Sequence, residues 1–212
     1  MRYSSREDAG RRLARSTAHL RDTDPVILAL PRGGLPVARE LARALDAPLD
    51  VLVVRKLGVP WHPELAMGAI AEGGFRVLNN DVIRMGRIAA DSIHRIEAKE
   101  RTELERRAAL LRRGRERIDL TGRTAVIVDD GMATGATAAV ACLAARAEGA
   151  ARVVLAVPVA SPDAIRRVGG AADEVVCPWS PADSDSVGAA YADFHQLSDD
   201  EAADLMRNGS LS

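Results

Sequence analysis

The stretch Ala125–Thr137, AVIVDDGMATGAT, decides the fold. Four apolar residues run straight into two aspartates, and the loop that follows is built mainly of Gly, Ala and Thr. A short unbroken apolar run is the pattern of a strand buried on both faces, as in a parallel sheet. Small residues between such a strand and a helix leave backbone N–H groups open at the positive helix terminus, where phosphate is the usual guest. Thr134 and Thr137 add hydroxyl donors. Two carboxylates ahead of an anion loop would repel the anion unless they face something else, such as vicinal hydroxyls or a metal ion.

Working outward, the same signature recurs. VILAL (26–30), LDVLVV (49–54), TAVIVD (124–129), RVVLAVPV (152–159) and DEVVC (173–177) read as buried strands. Helical patterns lie between them: from Ser4 or Ser5 to about Leu20, over LPVARELARAL, and over GATAAVACLAARAEGA, closed by Gly149. Ser161-Pro162 caps a short helix, and Ser198 to Glu201 is a capping-box pattern that opens a last one. Residues 90–118 are dense in charge, with Ile93, Ile96, Leu104, Ala108 and Leu111 at helical spacing. They read as a long inserted amphipathic helix whose charged face is solvated rather than a nucleic-acid patch. Strands alternating with helices imply an α/β fold, a parallel sheet core flanked by helices. From Leu57 to Gly74, LGVPWHPELAMGAIAEGG, the pattern breaks on two Pro and four Gly, and a long mobile loop is expected.

At 212 residues the chain suits a single domain, and an apolar fraction of 47% supplies a full core. Aromatics are only 3%, so that core rests on Ala, Val, Leu and Ile. A net charge of −1, from 29 basic and 30 acidic residues, argues against bulk attraction to nucleic acid or membrane. Cys142 and Cys177 form no metal or disulfide pattern, and His19, His62, His94 and His195 show no ligand spacing. No apolar run has the length of a membrane span, and the N-terminus lacks a signal-peptide core, so the chain reads as cytoplasmic.

Two common phosphate loops are excluded: there is no G-x-x-x-x-G-K-[ST], and no G-x-G-x-x-G after a strand. Ligands of open parallel sheets bind beyond the carboxyl ends of the strands. Three strands here end in unusual chemistry: Pro31-Arg32-Gly33-Gly34, Arg55-Lys56, and Asp129-Asp130. A ribose 5-phosphate fits the last of these, with its phosphate in the loop and its hydroxyls on the carboxylates.

VIVDDGMATGAT resembles the phosphoribosyl-pyrophosphate (PRPP) motif of the type I phosphoribosyltransferases. The resemblance implies Asp129 and Asp130 for the ribose, and Ala133, Thr134, Gly135, Ala136 and Thr137 for the 5-phosphate. LPRGGLPVA is similar to the family's pyrophosphate loop, which implies Arg32, Gly33 and Gly34 for pyrophosphate. RKLGVPWHPELAMGAIAEGG resembles the flexible catalytic loop of adenine phosphoribosyltransferases. That match brings Arg55 and Lys56 to pyrophosphate and Glu72 to the acceptor base as a catalytic residue, the plain alternative being a solvated loop carboxylate.

The resemblance further implies transfer of phosphoribose from PRPP to a nitrogenous base, with Mg2+ bound mainly through PRPP and in reach of Asp129 and Asp130. A small C-terminal hood over 178–212 is expected, and a second copy of the chain is a candidate partner. A PRPP-binding regulator without turnover is the alternative from another class. DEVVCPWSPADSDSVGAAYADF is similar to the base-binding end of hypoxanthine-guanine enzymes, but Asp185 stands where those carry a stacking aromatic. Trp179 and Asp185 are therefore the acceptor-binding candidates, and an acid at 185 favours an acceptor with amino or cationic character. Gly131 is a second departure, since a bulky apolar residue is more usual after the two acids.

Overall fold

The computed structural model describes residues 2–182 and 186–207. Five parallel strands form the main sheet, in the order β2-β1-β6-β7-β8. They are β1 (Pro25–Ala29), β2 (Leu49–Val51), β6 (Thr124–Val128), β7 (Arg152–Ala156) and β8 (Glu174–Val176). Alternate side chains of each strand enter opposite faces of the sheet, and two apolar cores result. Ile27, Ala29, Val126, Val128 and Val154 meet α1 (Arg6–Ser16), α2 (Gly34–Leu45), α4 (Ala90–Arg112) and α7 (Asp199–Arg207) through Leu13, Leu41, Leu104 and Met206. Val26, Leu28, Ile127 and Leu155 meet α5 (Ala136–Ala147) and α6 (Pro162–Val168) through Ala141, Cys142, Ala164 and Val168. The sheet is thus flanked on both sides, as the alternating pattern implied.

The helix ends follow local chemistry. Ser5 caps α1 by accepting from the Asp8 amide, and Ser161 caps α6 by accepting from Ala164. At α7 the Ser198 amide donates to Glu201 at 2.7 Å while the Glu201 amide donates to Ser198 Oγ at 3.2 Å, the reciprocal capping box.

Residues 57–74 correct the expectation of an irregular loop. β3 (Val54–Val59), β4 (His62–Ala71) and β5 (Arg76–Leu78) form a separate antiparallel sheet in the order β3-β4-β5. The glycines there serve close strand approach. A Cβ on Gly58 would stand 2.5 Å from the Pro63 carbonyl, and one on Gly68 would stand 2.5 Å from that of Val77. A bulge around Gly58 breaks the two-residue alternation, which hides the strand in the sequence. β5 and the short helix α3 (Asn80–Met85) had no sequence signal of their own.

Two further boundaries differ. The run 49–54 divides, β2 ending at Val51 and β3 opening at Val54 in the other sheet. The charged helix stops at Arg112 rather than 118, because Arg113 turns left-handed at φ 48°. Its stripe of Ile93, Leu104, Ala108 and Leu111 enters the first core, so the helix is integral to that layer. Buried Arg112 ties its end down. The guanidinium donates to Asp50 at 2.8 Å, to Glu72 at 2.5 Å and to the Val51 carbonyl at 2.7 Å. The Val53 amide donates to the second Glu72 oxygen at 2.9 Å.

Candidate functional site

The carboxyl ends of β1 and β6 carry two loops that lie against each other. The Leu30 amide donates to the Val128 carbonyl at 2.8 Å, and a cis peptide joins Pro31 to Arg32. A Cβ on Gly33 would collide with the Asp130 carboxylate, and one on Gly34 would stand 2.5 Å from the Val128 carbonyl. Only glycines let the Arg32 loop and the acid pair come this close. Gly131 has the same kind of reason, since a Cβ there would run into Val187 and stand 2.9 Å from Val159. Valines from elsewhere in the chain fill the place where a bulky residue was expected.

The two acids differ in surroundings. Asp129 is held well above the usual carboxylate range, first by burial and second by the Asp130 charge beside it. The Asp130 amide donates to Asp129 Oδ1 at 2.9 Å. Asp130 is instead neutralised by Arg6, whose Nε lies 2.7 Å from its Oδ2, with both side chains close to nine-tenths buried. The Arg6 guanidinium also donates to the His195 carbonyl at 2.6 Å and sits 4.0 Å over the Phe194 ring. The Tyr191 hydroxyl donates to the Asp130 carbonyl. Burial, followed by the Asp130 charge, raises the Tyr191 phenol above its ordinary value, so it remains a donor at neutral pH.

Beyond the acids, Ala133, Thr134, Ala136 and Thr137 are exposed, and Gly135 takes φ 76° to turn into α5. The N-cap Gly135 supplies no side-chain cap, and the Ala136 amide makes only a long 3.5 Å bond to Thr134 Oγ1, so the first turn of the helix can donate to an anion. The loop is braced from behind, because Ser161 donates to the Ala133 carbonyl at 3.0 Å and Arg167 to that of Thr134 at 2.6 Å.

Two cavities flank this loop. One, about 530 Å³, is lined by Arg6, Arg32, Gly33, Arg107, Asp130 and Phe194 among others. The other, about 1050 Å³, lies between the antiparallel sheet, α3 and α5, with Lys56, Leu78 and Thr137 on its wall. Arg32, Gly33, Asp129 and Asp130 are therefore brought together, while other expected residues are not. Arg55 is held by Glu100 at 2.6 Å and Lys56 by Glu64 at 3.3 Å, and neither lines the smaller cavity.

Glu72 corrects the expectation of a solvated loop carboxylate: it is buried in the Arg112 network. Trp179 packs edge-on against Tyr3 with ring centroids 5.9 Å apart, and it lines neither cavity. Asp185 lies outside the described residues. Among those described, no group of three His, Cys, Asp or Glu stands ready for a metal ion, and no helix is long and apolar enough to cross a membrane.

The sequence reading missed Arg6, Arg107, Tyr191 and Phe194. Their positions carry no local motif; Arg6 meets Asp130 across 124 residues of chain.

A model of the phosphoribosyl transferase domain matches residues 3–183, and the chain belongs to that family. A protein of Mycobacterium tuberculosis H37Rv, named provisionally as a phosphoribosyl transferase, is 58% identical over 199 residues. The match takes in 94% of this chain and 45% of that protein, so the chain spans about half the length of the relative. The crystal structure of TT1426 from Thermus thermophilus is similar throughout, with a TM-score of 0.86, 43% identity, and coverage of 99% of this chain and 100% of that one.

Proposed function

We propose that the chain transfers the 5-phosphoribosyl group of PRPP to a nitrogenous base or related acceptor, releasing pyrophosphate. The observation that carries this reading is the apposition of Gly33 to the Asp130 carboxylate, with Arg32, Gly33 and Asp130 on the wall of one cavity. In this reading Asp129 and Asp130 receive the ribose hydroxyls, and the amides and hydroxyls of 133–137 receive the 5-phosphate. Arg32, with the backbone of Gly33 and Gly34, receives pyrophosphate.

In the reaction the bond from the anomeric carbon to pyrophosphate breaks, its electron pair leaves with pyrophosphate, and an acceptor nitrogen forms the new bond. Charge builds on the departing oxygens and positive charge on the sugar. Fixed guanidinium and amide donors on one side and carboxylates on the other suit that separation. Two carboxylates are too few to cage a metal but fit magnesium carried largely on PRPP oxygens. When bound, such an ion screens the pyrophosphate charge. With Glu72 held by Arg112, the acceptor proton leaves by another route.

The test incubates the protein with PRPP, magnesium and a panel of bases and follows pyrophosphate release. Acceptor-dependent release, lost in Asp129→Asn with Asp130→Asn, is the expected result. PRPP binding without release for any acceptor would favour a regulator, and absence of PRPP binding would overturn the reading.

A further inference from the structure

Arg32 and Arg107 reach the smaller cavity from distant parts of the chain, and both point at one atom. Arg32 Nη1 lies 3.3 Å and Arg107 Nη2 3.4 Å from Oδ1 of Asp199, in the first turn of α7. These are long bonds for charged partners, which close to roughly 2.7–2.9 Å when well made. Arg107 Nε is buried and has no hydrogen-bond partner among the described residues. The wall of this cavity carries three guanidiniums, Arg6, Arg32 and Arg107, and the carboxylate of Asp130, with Asp199 bridging two of the arginines.

We infer that Arg107 and Arg32 form a two-guanidinium clamp for the pyrophosphate end of PRPP, which Asp199 occupies until the ligand displaces it. The inference rests on the proposed function and adds to it a binding residue and a gate. Pyrophosphate offers several anionic oxygens to two planar forks, where Asp199 offers one shared oxygen, so the exchange improves the pairing of both arginines.

Asp199 can leave without unfolding its helix. Its side chain is 31% exposed, α7 is anchored by buried Ala202, Ala203 and Met206, and the capping box uses Ser198 and Glu201. Arg113 adds a separate tie to Asp204 at 3.4 Å. The cavity also holds Gly33 and Asp130, which places the clamp beside the proposed ribose position.

The experiment is calorimetric titration of the full chain with magnesium pyrophosphate and, separately, ribose 5-phosphate. Arg107→Ala should weaken pyrophosphate about tenfold or more, the scale of one charge-assisted hydrogen bond, and leave ribose 5-phosphate within about twofold. Arg107→Lys should fall between, since it keeps the charge and loses the fork. Asp199→Asn should tighten pyrophosphate several-fold, because a competing charge is gone.

Equal losses for both ligands in folded Arg107→Ala, or weaker pyrophosphate binding in Asp199→Asn, would overturn the clamp while leaving the functional reading intact. A wild-type chain that binds neither ligand would overturn both.

Discussion

The two cavities that flank the 129–137 loop are chemically unlike. The larger, about 1050 Å³, has walls of Val54, Ala66, Ala69, Val77 and Leu78, with Lys56, Asp81 and Arg84 among its charges. The smaller, about 530 Å³, gathers Arg6, Arg32 and Arg107 around Asp130. Both volumes are ordinary for ligand sites, so size does not locate the chemistry. What separates them is origin. The smaller opens at the carboxyl ends of adjacent parallel strands, where loops meet and unpaired backbone groups gather. The larger lies between the first turn of α5, at Ala136 and Thr137, and an antiparallel ribbon whose backbone groups are already paired within the strands.

The sharpest way to break this comparison is to remove the acids. Asp129→Asn with Asp130→Asn should lower PRPP affinity by about a thousandfold, as two charge-assisted acceptors at roughly 2 kcal/mol each imply. Calorimetry on the folded variant measures it. Asp129→Asn alone is the cleaner arm, since loss of Asp130 also strands the Arg6 charge. Unchanged affinity would move the sugar out of the smaller cavity.

Next in size is Glu72, at the ribbon end of the molecule. Glu72→Gln should cost about 2 kcal/mol of stability, the worth of a charged hydrogen bond to buried Arg112. Turnover per folded molecule should stay nearly whole. Urea unfolding alongside steady-state kinetics separates the two. A collapse of kcat at unchanged stability would restore Glu72 as a catalytic residue.

These two regions also show what a sequence displays and what it conceals. The acid loop was legible because strand, charge and small-residue turn are contiguous, and each has a local physical cause. Gly33 and Gly34 were legible as a close-approach turn, although their partners, Asp130 and the Val128 carbonyl, lie far along the chain. The ribbon was not, because Gly58 and Gly68 perform the same close approach inside strands, where glycine otherwise signals a loop. The burial of Glu72 was hidden for a related reason: its neighbours Gly73 and Gly74 look mobile, while Arg112, 40 residues away, holds it inside. Arg6, Arg107 and Asp199 were invisible as site residues, since each lies inside a helical pattern and only the fold brings them together.

A smaller effect follows from the state of Asp129. Burial and the Asp130 charge raise its carboxyl, so part of the population is protonated above the ordinary range for aspartate. A protonated oxygen accepts hydrogen bonds from ribose hydroxyls less well, so PRPP affinity should rise as pH climbs through that raised value. The effect on stability runs the other way. A raised carboxyl stabilises the free fold fully below the unfolded value, near 3.8, and the contribution is lost as pH rises through the folded one. Asp129→Asn should flatten both slopes in calorimetry and thermal melts at pH above the ordinary aspartate value of 3.8. Parallel slopes in wild type and variant would show that another group titrates.

The smallest expected effect belongs to Lys56, and it tests whether the two cavities stay separate. Its ammonium lies 3.3 Å from Glu64, with that carboxylate 87% exposed, a surface pair worth at most about 1 kcal/mol. It lines the larger cavity, whereas Arg32 lines the smaller. Lys56→Ala should therefore shift stability by less than about 0.5 kcal/mol, within the usual range of surface substitutions. Pyrophosphate affinity should stay within about twofold, a difference near 0.4 kcal/mol. The same titration that follows Arg107→Ala gives the answer. A tenfold loss in Lys56→Ala would mean that the β3–β4 ribbon swings over the ligand and carries Lys56 to pyrophosphate. The ribbon would then act as the closing element that Arg55-Lys56 resembles in sequence, and the separation of the two cavities would belong to the open form alone.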